Sequence, residues 1–232
     1  HNISRSDQDQ FAAWSQQKAQ TAKEAGHLAE EIAPVHIPRR KQEDLVFSED
    51  EFIRAGTTAE ILAKLKPAFK REGGSVTAGN SSGLNDGACA LLMSNQTGIE
   101  RYGLTPLAQI ASSAVVGVEP RIMGIGPVQA STSALQRAGL TLDQMDHIEL
   151  NEAFAAQSLA CTRSLGLQDD DPRINPQGGA IAIGHPLGMT GARLLLTAAR
   201  QLNRSGGKYA LVTLCIGVGQ GYATVLENPN AA

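Results

Sequence analysis

The stretch YALVTLCIGVGQGYATVL, Tyr209 to Leu226, decides the fold. It opens with an apolar run rich in β-formers and closes with a second one, and Gly217, Gly219 and Gly221 stand between them. Two such runs around a glycine-rich turn predict a hairpin. Upstream the period changes. From about Leu187 to Asn203 the apolar residues recur at helical spacing, and Gly206 supplies a stop. Ala180–Ile183 leads to a turn ahead of that helix. Ile148–Leu150 reads as a short strand running into a helix from Asn151 to about Leu165. Gly126–Ala138 reads as a helix closed by Gly139, and Leu107–Val118 as a strand-rich segment. Strands alternating with helices and ending in a strand pair predict a layered α/β domain.

The first hundred residues read differently. Ser4 to about Ala25 is predicted helical, with Ser4 and Asp7 as a capping pair and Phe11, Trp14 and Ala22 near one face. Residues 33–48 contain Pro34, Pro38 and Arg39-Arg40-Lys41, which predicts an irregular or edge segment. A short helix is predicted around Thr58–Leu65, and Gly73–Gly87, rich in Gly, Ser and Asn, as a loop.

Composition narrows the function classes. Apolar residues make up 42% and charged ones 19%, ordinary values for a folded globular chain. The net charge of −3, from 20 basic and 23 acidic residues, gives no nucleic-acid surface. No apolar run reaches the roughly 18 residues of a membrane span. Cys89, Cys161 and Cys215 show no paired spacing, so a reducing compartment, taken as the cytoplasm, is predicted rather than a disulfide framework. The chain opens with His1-Asn2, without Met and directly before a helix, which predicts that its natural N-terminus lies elsewhere.

Three clusters carry candidate chemistry: Asn151-Glu-Ala-Phe154, Gly184-His-Pro186 and Cys215-Ile-Gly217. Each sits where a strand ends or a loop turns, the place where α/β folds gather their sites. Pro186 suits the first position of a helix, which would put His185 at a helix N-terminus, where the dipole favours neutral imidazole. Such a ring either takes a proton from a thiol or merely caps the turn. Cys215 ends an apolar strand beside glycines and is either reactive or a small buried hydrophobe. Asn151 and Glu152 read by themselves as a helix cap and a first-turn acid. Cys89 and Cys161 read as packing residues. Gly184–Gly191 lacks a P-loop ending, Gly217-x-Gly219-x-Gly221 opens no helix, and no His pair has metal-ligand spacing.

In their order, Asn151-Glu-Ala-Phe154, Gly178-Gly-Ala-Ile-Ala-Ile-Gly-His-Pro186 and Cys215-Ile-Gly217 resemble the C-terminal signature set of the thiolases. The loop Val76-Thr-Ala-Gly-Asn-Ser-Ser-Gly-Leu-Asn-Asp-Gly87 resembles that family's CoA-facing segment. Ser4–Asp9 and Asp169–Arg173 look most like the members that act on β-ketoadipyl-CoA. The resemblance implies a layered α/β/α fold of two similar halves with a loop domain over the CoA site. It divides this chain into part of the loop domain (1–83), the tail of the N-terminal half (84–105) and the C-terminal domain (106–232).

It also implies an acyl-CoA C-acyltransferase, which cleaves a 3-oxoacyl-CoA with CoA or runs the reverse condensation. In such enzymes a first cysteine, in the half this chain is expected to lack, holds the acyl group. His185 would activate that thiol and serve an oxyanion hole, in which Asn151 holds a water. Cys215 would exchange the α-proton, and the N–H of Gly217 would serve a second oxyanion hole. For CoA the resemblance points to Arg54, Phe69, Ser82, Ala153 and Phe154. CoA is substrate, and no other cofactor is implied. A homodimer or homotetramer is implied, and without its first half the fragment should expose an apolar sheet face and be inactive alone. A ketoacyl synthase would lack the C-terminal Cys-x-Gly, and a non-catalytic CoA or lipid carrier would not need His185 or Cys215.

Overall fold

The computed structural model describes residues 1–231. The elements run α1 (Arg5–Glu24), β1 (Val35–Ile37), β2 (Leu45–Phe47), α2 (Ala59–Leu62), α3 (Gln96–Tyr102), β3 (Gln109–Gly117), α4 (Gly126–Ala138), β4 (His147–Leu150), α5 (Ala155–Ser164), α6 (Ala180–Ile183), α7 (Thr190–Ser205), β5 (Tyr209–Ile216) and β6 (Gln220–Glu227), with three short 3-10 turns between them.

The main sheet has the order β3-β6-β5-β4, with β4 parallel to β5 and the other pairs antiparallel. Side chains alternate along β5. Leu211 packs with Ala130, Ala134 and Leu135 of α4, while Ala210 and Val212 pack with Leu194, Ala198 and Leu202 of α7. One helix therefore covers each face of the sheet. A strand covered on both faces must be apolar throughout rather than alternating, which is why 209–216 reads as a continuous run. A third cluster joins α1 to α5: Phe11, Ala12 and Ala13 meet Ala155, Leu159, Ile181 and Leu62. Ser4 caps α1 in a reciprocal box with Asp7, as its spacing predicts.

Four expectations change. The segment after β4 is not helical until Ala155, where α5 starts; residues 151–154 form a connecting stretch that bends at Ala153 and is extended at Phe154. Backbone bonding explains this: Asn151 N donates to Thr213 O (3.0 Å) and Ala155 N to Asn80 O (2.9 Å), so the stretch is held by β5 and by the 76–87 loop. The last helix starts at Thr190 rather than Leu187. Residues 186–189 form a turn in which Pro186 O accepts from the N–H groups of Met189 (2.9 Å) and Thr190 (3.0 Å). Residues 33–48, read as irregular or edge, hold the antiparallel pair β1–β2. The sheet does not bare a whole apolar face, since β4, β5 and β6 are largely buried. Apolar exposure on it is concentrated at the edge strand β3, at Ile110 and Val115.

Candidate active site

The parallel pairing of β4 with β5 ends at Leu150 opposite Thr213. β5 runs three residues further, through Leu214, Cys215 and Ile216. Asn151 therefore leaves β4 at the place where β5 carries on toward Cys215. Cys215 pairs across the hairpin with Gly221, and the exposed turn that holds Gly217 follows at once.

His185 approaches the same strand end from the 184–190 turn. Its Nδ1 lies 2.7 Å from Thr190 Oγ1. That hydroxyl also donates to Pro186 O at 2.9 Å, which uses its only proton. It must then accept from Nδ1, so Nδ1 carries the hydrogen and Nε2 keeps a lone pair. Asn151 Nδ2 lies 3.2 Å from Nε2 and donates to it. This fixes a neutral ring with a basic Nε2, the form a general base needs. Burial, and then the nearby Arg193 cation, hold the His185 pKa below its ordinary value. The expected cause was a helix N-terminus, but α7 begins five residues after His185. Gly184 makes the approach possible. Its φ is +107°, and a Cβ there would meet the Asn85 side chain. Asn85 Oδ1 in turn accepts from His185 N at 3.2 Å.

The three thiols differ. Cys215 is buried, and desolvation pushes its pKa up while its own backbone N–H works the other way. Cys161 is sealed within α5 and donates to Gly124 O at 3.2 Å. Burial, with a smaller contribution from Cys215, raises its pKa to about 12. Cys89 is half-buried, and desolvation raises its pKa. The residues around Cys89, from Asn85 to Ala88, line a small cleft of about 340 Å³ with Pro186 and Met189.

Of the five CoA candidates, four come together. Ser82 donates to Ala153 O through both its N–H (3.1 Å) and its hydroxyl (3.2 Å), and Ser81 bridges to Phe154. Phe69, 78% exposed, meets Phe154 edge to face at 6.4 Å. Arg54 is exposed and linked less directly. Its guanidinium stacks 5.8 Å above the Phe52 ring, and a Cβ at Gly83, next to Ser82, would touch that ring.

Glu152 is not the exposed first-turn acid of the local reading. It is 1% exposed. Oε2 accepts from Ser15 Oγ (2.6 Å) and Ile181 N (3.2 Å), and Oε1 from Asn175 Nδ2 (2.7 Å). Glu149, on β4, is also fully buried. Gln201 Nε2 donates to it at 2.8 Å and Arg193 stands 3.6 Å away, yet desolvation raises its pKa to about 7. Sequence reading missed Thr190, Asn85, Glu149 and Arg193. Thr190 had one local signal, a hydroxyl on the first turn after the His-Pro pair, whereas Glu149 and Arg193 lie in apolar runs that look like plain core.

Known proteins resemble this chain in sequence and fold. The family model described as "Thiolase, C-terminal domain" matches residues 104–228, and "Thiolase, N-terminal domain" matches residues 1–97. The chain is 60% identical to a β-ketoadipyl-CoA thiolase of Acinetobacter baylyi over 97% of its own length and 56% of that protein. It is 55% identical to the 3-oxoadipyl-CoA/3-oxo-5,6-dehydrosuberyl-CoA thiolase of Escherichia coli, again over 97% of this chain and 56% of that protein. Among solved structures, the Bacillus anthracis acetyl-CoA acetyltransferase superposes with a TM-score of 0.93 at 43% identity, covering 97% of this chain and 56% of that one. Human mitochondrial 3-ketoacyl-CoA thiolase gives 0.90 at 44% identity, with coverage of 98% and 57%. The chain thus spans about half the length of the curated relatives it matches.

Proposed function

The chain belongs to the thiolase family, and from that premise we propose that it carries the proton-handling groups of an acyl-CoA C-acyltransferase. The reaction is cleavage of a 3-oxoacyl-CoA by CoA to acetyl-CoA and a shortened acyl-CoA, or its reverse. The names of the relatives favour 3-oxoadipyl-CoA as the substrate.

One observation supports this most. The His185 ring is held with its Nε2 lone pair turned to Asn151, the residue that leaves β4 where β5 continues to Cys215. In the cleavage direction a cysteine thiol gives its proton to Nε2, and the thiolate attacks the C3 carbonyl. The C2–C3 bond breaks, its electron pair forms the acetyl-CoA enolate, and the Cys215 thiol delivers a proton to C2. The CoA thiol then gives its proton to the Cys215 thiolate and its sulfur attacks the acyl-enzyme thioester. The enzyme cysteine leaves as thiolate and recovers its proton from His185 Nε2, which restores both groups. Charge on the two carbonyl oxygens falls to donors set in advance: protonated His185 with a water held by Asn151, and the N–H of Gly217. CoA lies along Ser82, Ala153, Phe154 and Phe69, with Arg54 toward its anionic end.

None of the three thiols here suits the acyl-holding role. Cys161 is sealed, Cys89 lies in the cleft of residues 85–89 and 186–189, whose lining includes none of His185, Asn151 and Cys215, and Cys215 is assigned to the α-carbon. That thiol is therefore supplied from outside these 232 residues, and the chain alone is not expected to turn over. A carrier of CoA would need neither the fixed tautomer nor Cys215, so the hydrogen-bond pattern favours catalysis. Residues 1–83 serve as part of the CoA-covering loop region, 84–105 as the tail of the N-terminal half and 106–232 as the C-terminal domain. Self-association as a dimer or tetramer fits the apolar residues left open on β3. A cytoplasmic setting fits three free cysteines. Among the described residues no helix is long and apolar enough to cross a membrane.

The test is exchange of the acetyl-CoA methyl protons with deuterated water, in a polypeptide or assembly that contains these residues and performs thiolysis. Cys215→Ser should slow exchange by about 10²–10⁴-fold, the usual contribution of a general acid/base. Unchanged exchange would exclude the role given to Cys215.

A further inference from the structure

We infer that Glu152 is a positioning residue for His185. It holds the single helical turn that carries the imidazole, while its neighbour Asn151 holds the ring itself. This rests on the reading of His185 as the reacting base.

The argument begins with α6. It is four residues long, Ala180–Ile183, and Gly184-His185 follow directly. One isolated turn has almost no stability of its own, because nucleation costs more than its few bonds return. Something outside must hold it. Glu152 Oε2 accepts from Ile181 N (3.2 Å), in the first turn of α6. The same oxygen accepts from Ser15 Oγ (2.6 Å), and Ser15 Oγ accepts from Gly179 N (3.1 Å). The carboxylate and one hydroxyl thus engage two amides at the N-terminal end of the turn. Gln16 of α1 adds a longer bond from Nε2 to Ile181 O (3.3 Å). The backbone is packed against the carboxylate, since a Cβ at Gly179 would overlap the Glu152 carboxyl group.

The carboxylate cannot be replaced by an amide of the same shape. Asn175 Oδ1 accepts from Leu150 N at 2.8 Å, so its Nδ2 must be the group that faces Glu152 Oε1 at 2.7 Å. Ile181 N is a donor, and the Ser15 proton has no other partner. Three donors converge on Glu152 from β4's own neighbourhood, α1 and α6. A glutamine can accept only through one oxygen, and its NH₂ would face a donor. The side chain therefore sets the spacing between the end of β4 and the 178–185 segment. That spacing determines whether Asn151 Nδ2 meets His185 Nε2. Functional geometry of this kind is sensitive to about 0.5 Å.

The experiment uses the 232-residue chain labelled with ¹⁵N. Long-range proton–nitrogen spectra report the His185 tautomer and its titration. The chain itself should show Nδ1–H alone. Glu152→Gln should give a mixture of both tautomers and move the His185 titration upward toward the ordinary imidazole range, with the far-ultraviolet circular dichroism unchanged. Ser15→Ala, which removes one donor and the acceptor for Gly179 N, should move both signals the same way by less. If both variants lower only the melting temperature and keep one tautomer and the original titration, Glu152 is structural and the inference is wrong. If Glu152→Gln does not fold, Ser15→Ala decides by the same two outcomes. These signals need no catalysis, so a failed exchange assay would remove the proposed function without touching this result.

Discussion

Two apolar stretches of this chain behave in opposite ways. Ala180–Ile183 is largely buried and leads through Gly184 to His185. Leu84–Met93 is also rich in apolar residues, though broken by Asn85, Asp86 and Gly87, yet within these 232 residues Leu84 is 92% and Leu92 83% exposed, and no helix or strand forms there. Hydrophobicity does not separate them. Buried polar bonds do: Glu152 and Gln16 engage Ile181 within the first stretch, Ser15 engages Gly179 just before it, and Asn85, itself a member of the second stretch, engages His185 just after it. In this molecule the precision of the site comes from a few buried acceptors, and apolar burial supplies the bulk around them.

The largest expected effect sharpens that contrast. Glu152→Ala orphans three buried donors and should destabilise the fold by about 3–5 kcal/mol, read from the shift in denaturant midpoint. Next comes a pH effect at Glu149. Its rise from 4.5 to about 7 is on the order of 3 kcal/mol. Because the folded pKa is the higher one, the protonated form favours folding. Stability should be full below about pH 4.5, fall as pH rises to about 7 and then level off. Glu149→Gln should lack this slope in urea titrations across that range. A third, smaller change is Thr190→Val, which leaves Nδ1–H without its acceptor and should cost about 1–3 kcal/mol and release the His185 tautomer, while Thr190→Ser should keep both. Leu92→Ser should change stability by no more than about 0.5 kcal/mol. If Leu92→Ser matched Glu152→Ala, the comparison between the two stretches would collapse.

Much of this was legible in the sequence where one local rule decides. The Ser4–Asp7 capping pair, the Gly139 stop and the glycine hairpin after Cys215 each depend on a few adjacent residues. The non-helical course of Asn151–Phe154 was not legible. These residues read locally as a helix start, but Thr213 O, 62 positions away, takes the amide of Asn151, and Asn80 O, 75 positions away, takes that of Ala155. The burial of Glu152 was hidden for the same reason, since Ser15 lies 137 residues from it. His185 and Cys215 stood out only as residue types at element ends. The tautomer that gives His185 its direction depends on a hydroxyl bond to Pro186 O that no spacing reveals.

The central claim is that imidazole 185 and thiol 215 serve one acyl-CoA. A crystal structure with acetyl-CoA bound tests it most directly. We predict the thioester oxygen within hydrogen-bonding reach of a preset donor, the acetyl methyl against Cys215 Sγ, and His185 Nε2 opening onto the same cavity. Acetyl-CoA seated elsewhere, or touching one of the two side chains while the other faces away, would contradict the account.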